Sequence, residues 1–250
     1  MDAPRNGLVT GERAAAEPGL VSRTLLRLLM KRASVAQVEQ WSEHFRLITL
    51  EGPALGGVTW SPGQKIQIAM GSAFVARTYT PIDWDASAGR ARILGFDHGD
   101  GPGSRWLRDV RAGDSCDIFG PRASLDTLHL TDPLVLFGDE TSIGLAYALA
   151  LQHRPRSFRG YFETTDPNAA RDVVARLGIG NATLFRREDG DVHVDAMEAV
   201  LPALVADSCF VLTGKAGTIQ RLRQALKRHG IPAKRIMTKA YWAPGKTGLD

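Results

Sequence analysis

Two short stretches carry the side chains best suited to grip a dinucleotide: Arg77-Thr78-Tyr79-Thr80 and, one strand later, His98-Gly99-Asp100-Gly101-Pro102-Gly103-Ser104-Arg105-Trp106. Residues at i and i+2 of a strand share a face, so Arg77 and Tyr79 can address one ligand, with Thr80 at the strand's end. The pair offers a guanidinium for a pyrophosphate and a flat ring for an isoalloxazine. In the second stretch, small residues and a hydroxyl stand at a predicted helix start, where free N–H groups and the helix dipole favour phosphate. Each piece alone also has an ordinary reading: a solvated cross-strand pair for Arg77 and Tyr79, and a turn for Gly101-Pro102-Gly103. Their order, with a nucleotide-domain pattern downstream, makes a flavin dinucleotide the ligand that suits both.

These residues need a scaffold, and the chain changes texture twice in supplying one. Residues 1–19 are polar and rich in Ala, Gly and Pro, and are expected to form a flexible tail. Val21, Leu25, Leu28 and Leu29 then fall at helical spacing. The segment 20–130 is predicted to be one domain in which, from Ala33, short runs punctuated by Gly and Pro indicate an antiparallel β barrel or sandwich. Six strands are predicted, over Ser34–Glu39, Phe45–Leu50, Lys65–Ala69, Arg77–Ile82, Arg90–Phe96 and Asp114–Phe119, with a helix over Ser104–Val110. The segment 131–250 alternates instead. Strands buried on both faces are predicted over Leu134–Phe137, Phe158–Phe162, Ala182–Phe185, Cys209–Leu212 and Arg235–Thr238. Helices lie between them: Asp166-Pro167 is an N-cap and first-turn pair, Val173, Val174 and Leu177 form an apolar face, and Gly178 is a stop. Ile219, Leu222 and Leu226 repeat the device before Gly230. This is the pattern of a doubly wound parallel sheet.

Composition narrows the chemistry. The 250 residues suffice for two domains, and the net charge is +4. Basic residues such as Arg105, Arg108, Arg111, Arg122, Arg154, Arg156 and Arg159 are scattered and not interleaved with aromatics, which suits small polyanions better than nucleic acid. Cys116 and Cys209 lack metal-ligand spacing, and two cysteines cannot supply the four thiolates of a plant-type iron–sulfur cluster. Electrons would then pass from an organic cofactor directly to an external acceptor. The longest apolar run, Thr24 to Met30, is broken by Arg27 and falls far short of the roughly 20 residues of a membrane span. With no secretory h-region near the start, a cytoplasmic location is expected.

In a doubly wound sheet, ligands collect beyond the carboxyl ends of the strands. Gly138-Asp139-Glu140-Thr141-Ser142 and Thr213-Gly214-Lys215-Ala216-Gly217-Thr218 are the loops expected there. Neither is a Gly-x-Gly-x-x-Gly fingerprint or a P-loop, and Asp139-Glu140-Thr141 can also be read as a capping cluster before a helix at Ile143. Glu163 ends a strand where a carboxylate would suit the ribose of NADH, whereas Arg186 and Arg187 could meet the extra phosphate of NADPH. His98 reads as a loop residue beside the cofactor rather than an acid–base catalyst.

The motifs Arg77-Thr78-Tyr79-Thr80, Gly101-Pro102-Gly103-Ser104-Arg105-Trp106, Gly113-Asp114, Gly120-Pro121-Arg122, Gly138-Asp139-Glu140-Thr141 and Tyr241-Trp242 together resemble the siderophore-interacting proteins, flavin-dependent ferric-siderophore reductases of the ferredoxin-reductase-like superfamily. The resemblance implies a Greek-key barrel binding FAD and a parallel sheet binding NADPH or NADH, with Tyr241 and Trp242 covering the flavin at the C-terminal end. It implies Arg77 on the FAD phosphates, Tyr79 against the flavin ring and Thr80 near its hydride-accepting nitrogen, Tyr79 and Thr80 being the catalytic pair. Main chain from Asp97 through His98 to Gly99 would line the ribityl arm. Gly101, Pro102, Gly103 and Ser104 would close around the pyrophosphate, with Trp106 in the same motif, and Asp139, Glu140 and Thr141 would face the nicotinamide.

Arg122, Lys239 and Lys246 would hold an anionic ferric siderophore or related chelate, whose iron passes through as substrate. The chain departs from the family at Gln67 and Ala243, where cations are frequent, and at Ile82, where Arg is. The implied protein is a monomeric NAD(P)H oxidoreductase that releases ferrous iron. The alternatives are a flavin reductase serving a protein redox partner and a non-enzymatic, flavin-containing siderophore carrier.

Overall fold

A computed structural model describes residues 30–72, 75–131, 133–152, 157–204 and 206–246. The expected tail and the helix around Val21 to Leu29 lie outside the described residues.

The first lobe follows from alternation. Along β6 (Arg90–Phe96), Ala91 and Ile93 are fully inward while Arg90 and Arg92 face out, the period-2 pattern of a sheet with one apolar face. The same inward set recurs on β1 (Lys31–Gln40), β2 (Phe45–Glu51), β3 (Lys65–Ser72) and β7 (Ser115–Arg122), giving a core built around Val35, Ile48, Leu50, Ile66, Ile68 and Ile118. With β4 (Val75–Tyr79) and β5 (Pro81–Asp85) these form a seven-stranded antiparallel sheet in the order β4-β3-β7-β1-β2-β6-β5.

One strand expectation needs correction. Arg77 to Ile82 is not a single strand: β4 stops at Tyr79, Thr80 is unpaired, and β5 starts at Pro81. Proline lacks the N–H a ladder needs and is tolerated at a strand's first residue, so the chain turns there. The predicted six strands are therefore seven, and β4 and β5, joined by Thr80 alone, occupy opposite edges of the sheet. The helix α1 (Pro102–Asp109) begins two residues before its predicted start, with Gly101 as N-cap and Pro102 in the first turn.

The second lobe is a parallel sheet ordered β10-β9-β8-β11-β12. Its strands are β8 (Leu134–Asp139), β9 (Phe158–Thr164), β10 (Ala182–Arg186), β11 (Cys209–Lys215) and β12 (Ile236–Trp242). Every residue of β8 is buried, as a central strand covered on both faces requires. The helices are α2 (Ile143–Gln152), α3 (Pro167–Arg176), α4 (Val192–Ala199) and α5 (Ala216–Arg228). Asp166 caps α3 as expected, accepting from the N–H groups of Asn168 and Ala169. Strand order reverses between β8 and β11, so the crevice of this lobe lies beyond Asp139 and Lys215. One apolar cluster joins the lobes, with Phe45, Leu47 and Ile82 of the first packed with Leu134, Leu136, Ile143 and Leu145 of the second. Ile82, which stands where the resemblance would have Arg, is 1% exposed and belongs to this seam.

Candidate functional site

A cleft opens where the end of β4 and the start of α1 meet the carboxyl edge of the second sheet. From the first lobe Arg77, Tyr79 and Thr80 line it, joined by His98, Gly101, Gly103 and Ser104. Arg77 and Tyr79 do line one space, and Thr78 between them lines it too. Thr141, Lys239, Tyr241 and Trp242 line it from the second lobe.

The first wall has the features an anionic dinucleotide needs. Gly101 caps α1 without a side-chain bond, which leaves the first-turn N–H groups of Gly103 and Ser104 at a helix start. Gly103 lies directly against the other motif: a Cβ there would stand 3.2 Å from Arg77 Cγ and 3.3 Å from the Tyr79 hydroxyl. The guanidinium of Arg77 bonds only the neighbouring carbonyl of Ala76, at 2.8 Å, and makes no ion pair among the described residues. Tyr79 packs on Trp106 at 5.6 Å between centroids, and burial drives its phenol well above the usual range. Tyr79 therefore stays protonated and acts as a flat, neutral surface. Trp106 packs on Tyr79 and does not line the cleft, and neither does Pro102.

Asp97 and Gly99 are off the cleft wall as well. Asp97 receives Arg108 Nη1 at 2.8 Å and the N–H of Gly99 at 3.3 Å. Burial opposes its ionisation, but hydrogen bonds from Arg108, Gly99 and Ser104 outweigh it and hold the carboxyl below the usual range. Its side chain braces the loop that presents His98.

The second wall is tied together internally. Asp139, fully buried, accepts from Thr141 N at 2.9 Å and from Trp242 Nε1 at 2.7 Å. Burial, reinforced by Glu140 and Glu163, raises its pKa to about 6 against the bonds from Thr141 and Trp242. Gly214, at φ +103°, makes room for it, since a Cβ there would lie 2.4 Å from the carboxylate. Glu140 does not face the cleft, contrary to expectation: it is 3% exposed and bonds Arg187 and Thr165. Glu163 is 1% exposed and off the cleft wall; its Oε2 accepts from Arg187 and His193, and its Oε1 is buried without a hydrogen-bond partner among the described residues. Asp139 and Thr141 do cap the turn into α2, as the capping alternative required.

The C-terminal aromatics are the end of β12 rather than a separate tail. Tyr241 contacts Thr80 across the lobes, with 3.4 Å between hydroxyls, and burial pushes its phenol up to about 12. Trp242 stacks 6.2 Å from His98. Of the expected substrate cations, Lys239 lines the cleft, while Arg122 is engaged elsewhere, over the Phe119 ring at 4.3 Å and on Gln67 Oε1 at 2.5 Å. Lys246 is exposed beyond β12. Sequence reasoning missed Ala76, Leu94, Phe96, Leu107, Ser124 and Gly144 and gave Thr78 no role, and these complete the lining. In sequence, Leu94, Phe96 and Leu107 carry only the signal of a strand or a helix.

The fold is similar to that of SipS, a siderophore-interacting protein from Aeromonas hydrophila, with a TM-score of 0.73 and 21% identity over 87% of this chain and 93% of that one. It is similar also to a siderophore utilization protein from T. fusca, with a TM-score of 0.69 and 20% identity over 88% and 95% of the two chains. Phthalate dioxygenase reductase matches with a TM-score of 0.73 and 16% identity, over 87% of this chain and 70% of that one. A search of curated proteins gave no match. These likenesses show a shared fold, an antiparallel sheet followed by a parallel one, and the family matches give the class, a flavin-dependent oxidoreductase. The siderophore-interacting FAD-binding domain matches residues 70–125 and the siderophore-interacting protein family matches residues 131–245, and the chain belongs to that family.

Proposed function

We propose that this protein takes hydride from NADPH or NADH on a bound FAD and reduces a ferric siderophore or related anionic ferric chelate, releasing ferrous iron. The observation that carries the reading is the two-walled cleft, with an uncommitted guanidinium and a helix start on one side and the carboxyl edge of a doubly wound sheet on the other. When bound, FAD supplies acceptance of two electrons as hydride and their release one at a time. Arg77 and the N–H groups of Gly103 and Ser104 would hold its pyrophosphate, as the close fit of Gly103 under Arg77 and Tyr79 suits. Tyr79 would back its ring system, and Thr80 would offer a hydroxyl at the reacting edge. Thr141 and Trp242 would border the space for the nicotinamide.

Lys239, opposite Arg77, would give an anionic chelate its electrostatic foothold. Neither reductant is favoured by Glu163, which is internally paired. We place the protein in the cytoplasm as a monomer; among the described residues no helix is long and apolar enough to cross a membrane.

The test is to purify the protein, record its visible spectrum and follow anaerobic bleaching by NADH and by NADPH before adding ferric chelates. Reoxidation by chelates supports the proposal. Flavin that stays reduced until a redox protein is added favours the protein-acceptor reading. Flavin that neither nicotinamide bleaches favours the carrier, and a protein that binds no flavin ends the proposal.

A further inference from the structure

Behind the second wall, polar groups the cleft does not use gather at the carboxyl ends of β8, β9 and β10. Glu140 and Glu163 are both buried there, with Arg187 between them. Arg187 reaches Glu140 through Nη2 at 2.9 Å and Glu163 through Nε at 3.4 Å, and donates from Nη1 to Thr165 Oγ1 at 2.6 Å. His193 closes the far side. Its Nδ1 accepts the main-chain N–H of Glu188 at 3.2 Å, so the ring proton sits on Nε2 and is donated to Glu163 Oε2 at 2.8 Å. An imidazole bonded in this way adds a donor and no charge, so a single guanidinium answers two buried carboxylates. Its withdrawal would strand both anions away from water, which fixes Arg187 in place.

That fixed cation has one further neighbour. Its Cζ lies 5.9 Å from the centroid of the Trp242 indole, within cation–π reach. The indole lines the cleft, and its N–H is donated to Asp139 Oδ2. Asp139 makes no ion pair among the described residues; its donors are Thr141 and Trp242. Trp242 is thus the ring through which the buried ion network touches the cleft. We propose that Arg187 is a positioning residue: anchored by Glu140 and Glu163, it holds the Trp242 indole on Asp139 and so keeps the cleft wall in the shape that receives FAD. The consequence for FAD rests on the function proposed above; the hold on the indole does not.

The experiment reads the indole first, in protein without flavin. The chain has five tryptophans, so the difference in emission between wild type and Trp242→Phe isolates Trp242. Trp242 should resist acrylamide quenching about threefold more than free tryptophan, and Arg187→Gln should remove most of that protection. The second readout is a double-mutant cycle on FAD affinity. Arg187→Gln should raise the FAD dissociation constant about fivefold, and by less than about twofold in the Trp242→Phe background.

Arg187→Lys, which keeps the charge and loses the fork, should fall between wild type and Arg187→Gln and serves if the latter does not fold. A Trp242 as open to quencher as free tryptophan in wild type overturns the proposal without any change at Arg187. Unchanged quenching in Arg187→Gln, or equal affinity losses in both backgrounds, also overturns it. If wild type binds no FAD the functional reading fails, and the quenching result still decides the role of Arg187.

Discussion

The two walls of the cleft are built on opposite plans. The first presents polar groups with little internal commitment: Arg77 bonds a neighbouring carbonyl, and the start of α1 has no side-chain cap. The second has its buried acids bonded internally, Glu140 and Glu163 to Arg187 and Asp139 to Trp242 and Thr141, and leaves Lys239 as its cation on the cleft. A wall with open donors is made to bind; a wall with closed pairs is made to keep its shape. The contrast assigns ligand affinity chiefly to the first wall and geometry to the second.

The sharpest way to break this comparison is Arg77→Ala. Losing a charge-assisted bond to a phosphate should weaken FAD binding by about 10- to 100-fold, with little change in thermal stability, because the internal partner left behind is one half-buried main-chain carbonyl, that of Ala76. Flavin titration followed by fluorescence checks it, and a large loss of stability with unchanged affinity would reverse the roles of the walls.

Asp139 should show the converse, an effect on stability that depends on pH. Its pKa is raised from 3.8 to about 6, so the folded state binds this proton more tightly than the unfolded chain. Its ionisation therefore costs stability above about pH 6, and the cost fades as pH falls toward the unfolded value. Relative to Asp139→Asn, which does not titrate, wild type should gain roughly 2 kcal/mol between about pH 7 and about pH 4. Denaturant unfolding at several pH values measures this, and a constant difference would mean that burial does not govern the carboxyl.

Gly103→Ala separates fold from binding within the first wall. Alanine favours the helix by up to about 1 kcal/mol, but its methyl crowds Arg77 and Tyr79. Stability should hold or rise while FAD affinity drops several-fold, as paired melting and titration experiments would reveal. The smallest effect is expected at the seam, where Tyr241→Phe removes a long contact to Thr80 and one to Thr213. A loss of about 0.5 kcal/mol, with FAD affinity within about twofold of wild type, would agree with a merely supporting hydroxyl.

The same contrast explains what could be read from the chain. The first wall was legible because its chemistry is local: Arg77 and Tyr79 are two residues apart, and Gly101 to Ser104 begin a helix. The five strands of the second sheet were legible as apolar runs, although β12 reaches further, to Trp242, than its apolar pattern suggested. The buried network was not legible, since Glu140, Glu163, Arg187 and His193 meet only once three strands and α4 are assembled. A strand-end carboxylate such as Glu163 looks the same in sequence whether it faces a ribose or an internal arginine. The break at Thr80 was signalled by one residue alone: Pro81, with its missing N–H and low β propensity, interrupts an otherwise strand-like run from Arg77 to Ile82.

That single residue between β4 and β5 has a larger consequence. Because β4 and β5 are the two outermost strands, Thr80 ties both margins of the first sheet into a loop, as a buckle closes a belt. The two margins do not pair with each other; they meet at that residue, and Ile82 just beyond it packs against the other lobe. Whatever occupies the cleft therefore rests on the fastening itself, and filling it should tighten the whole girdle.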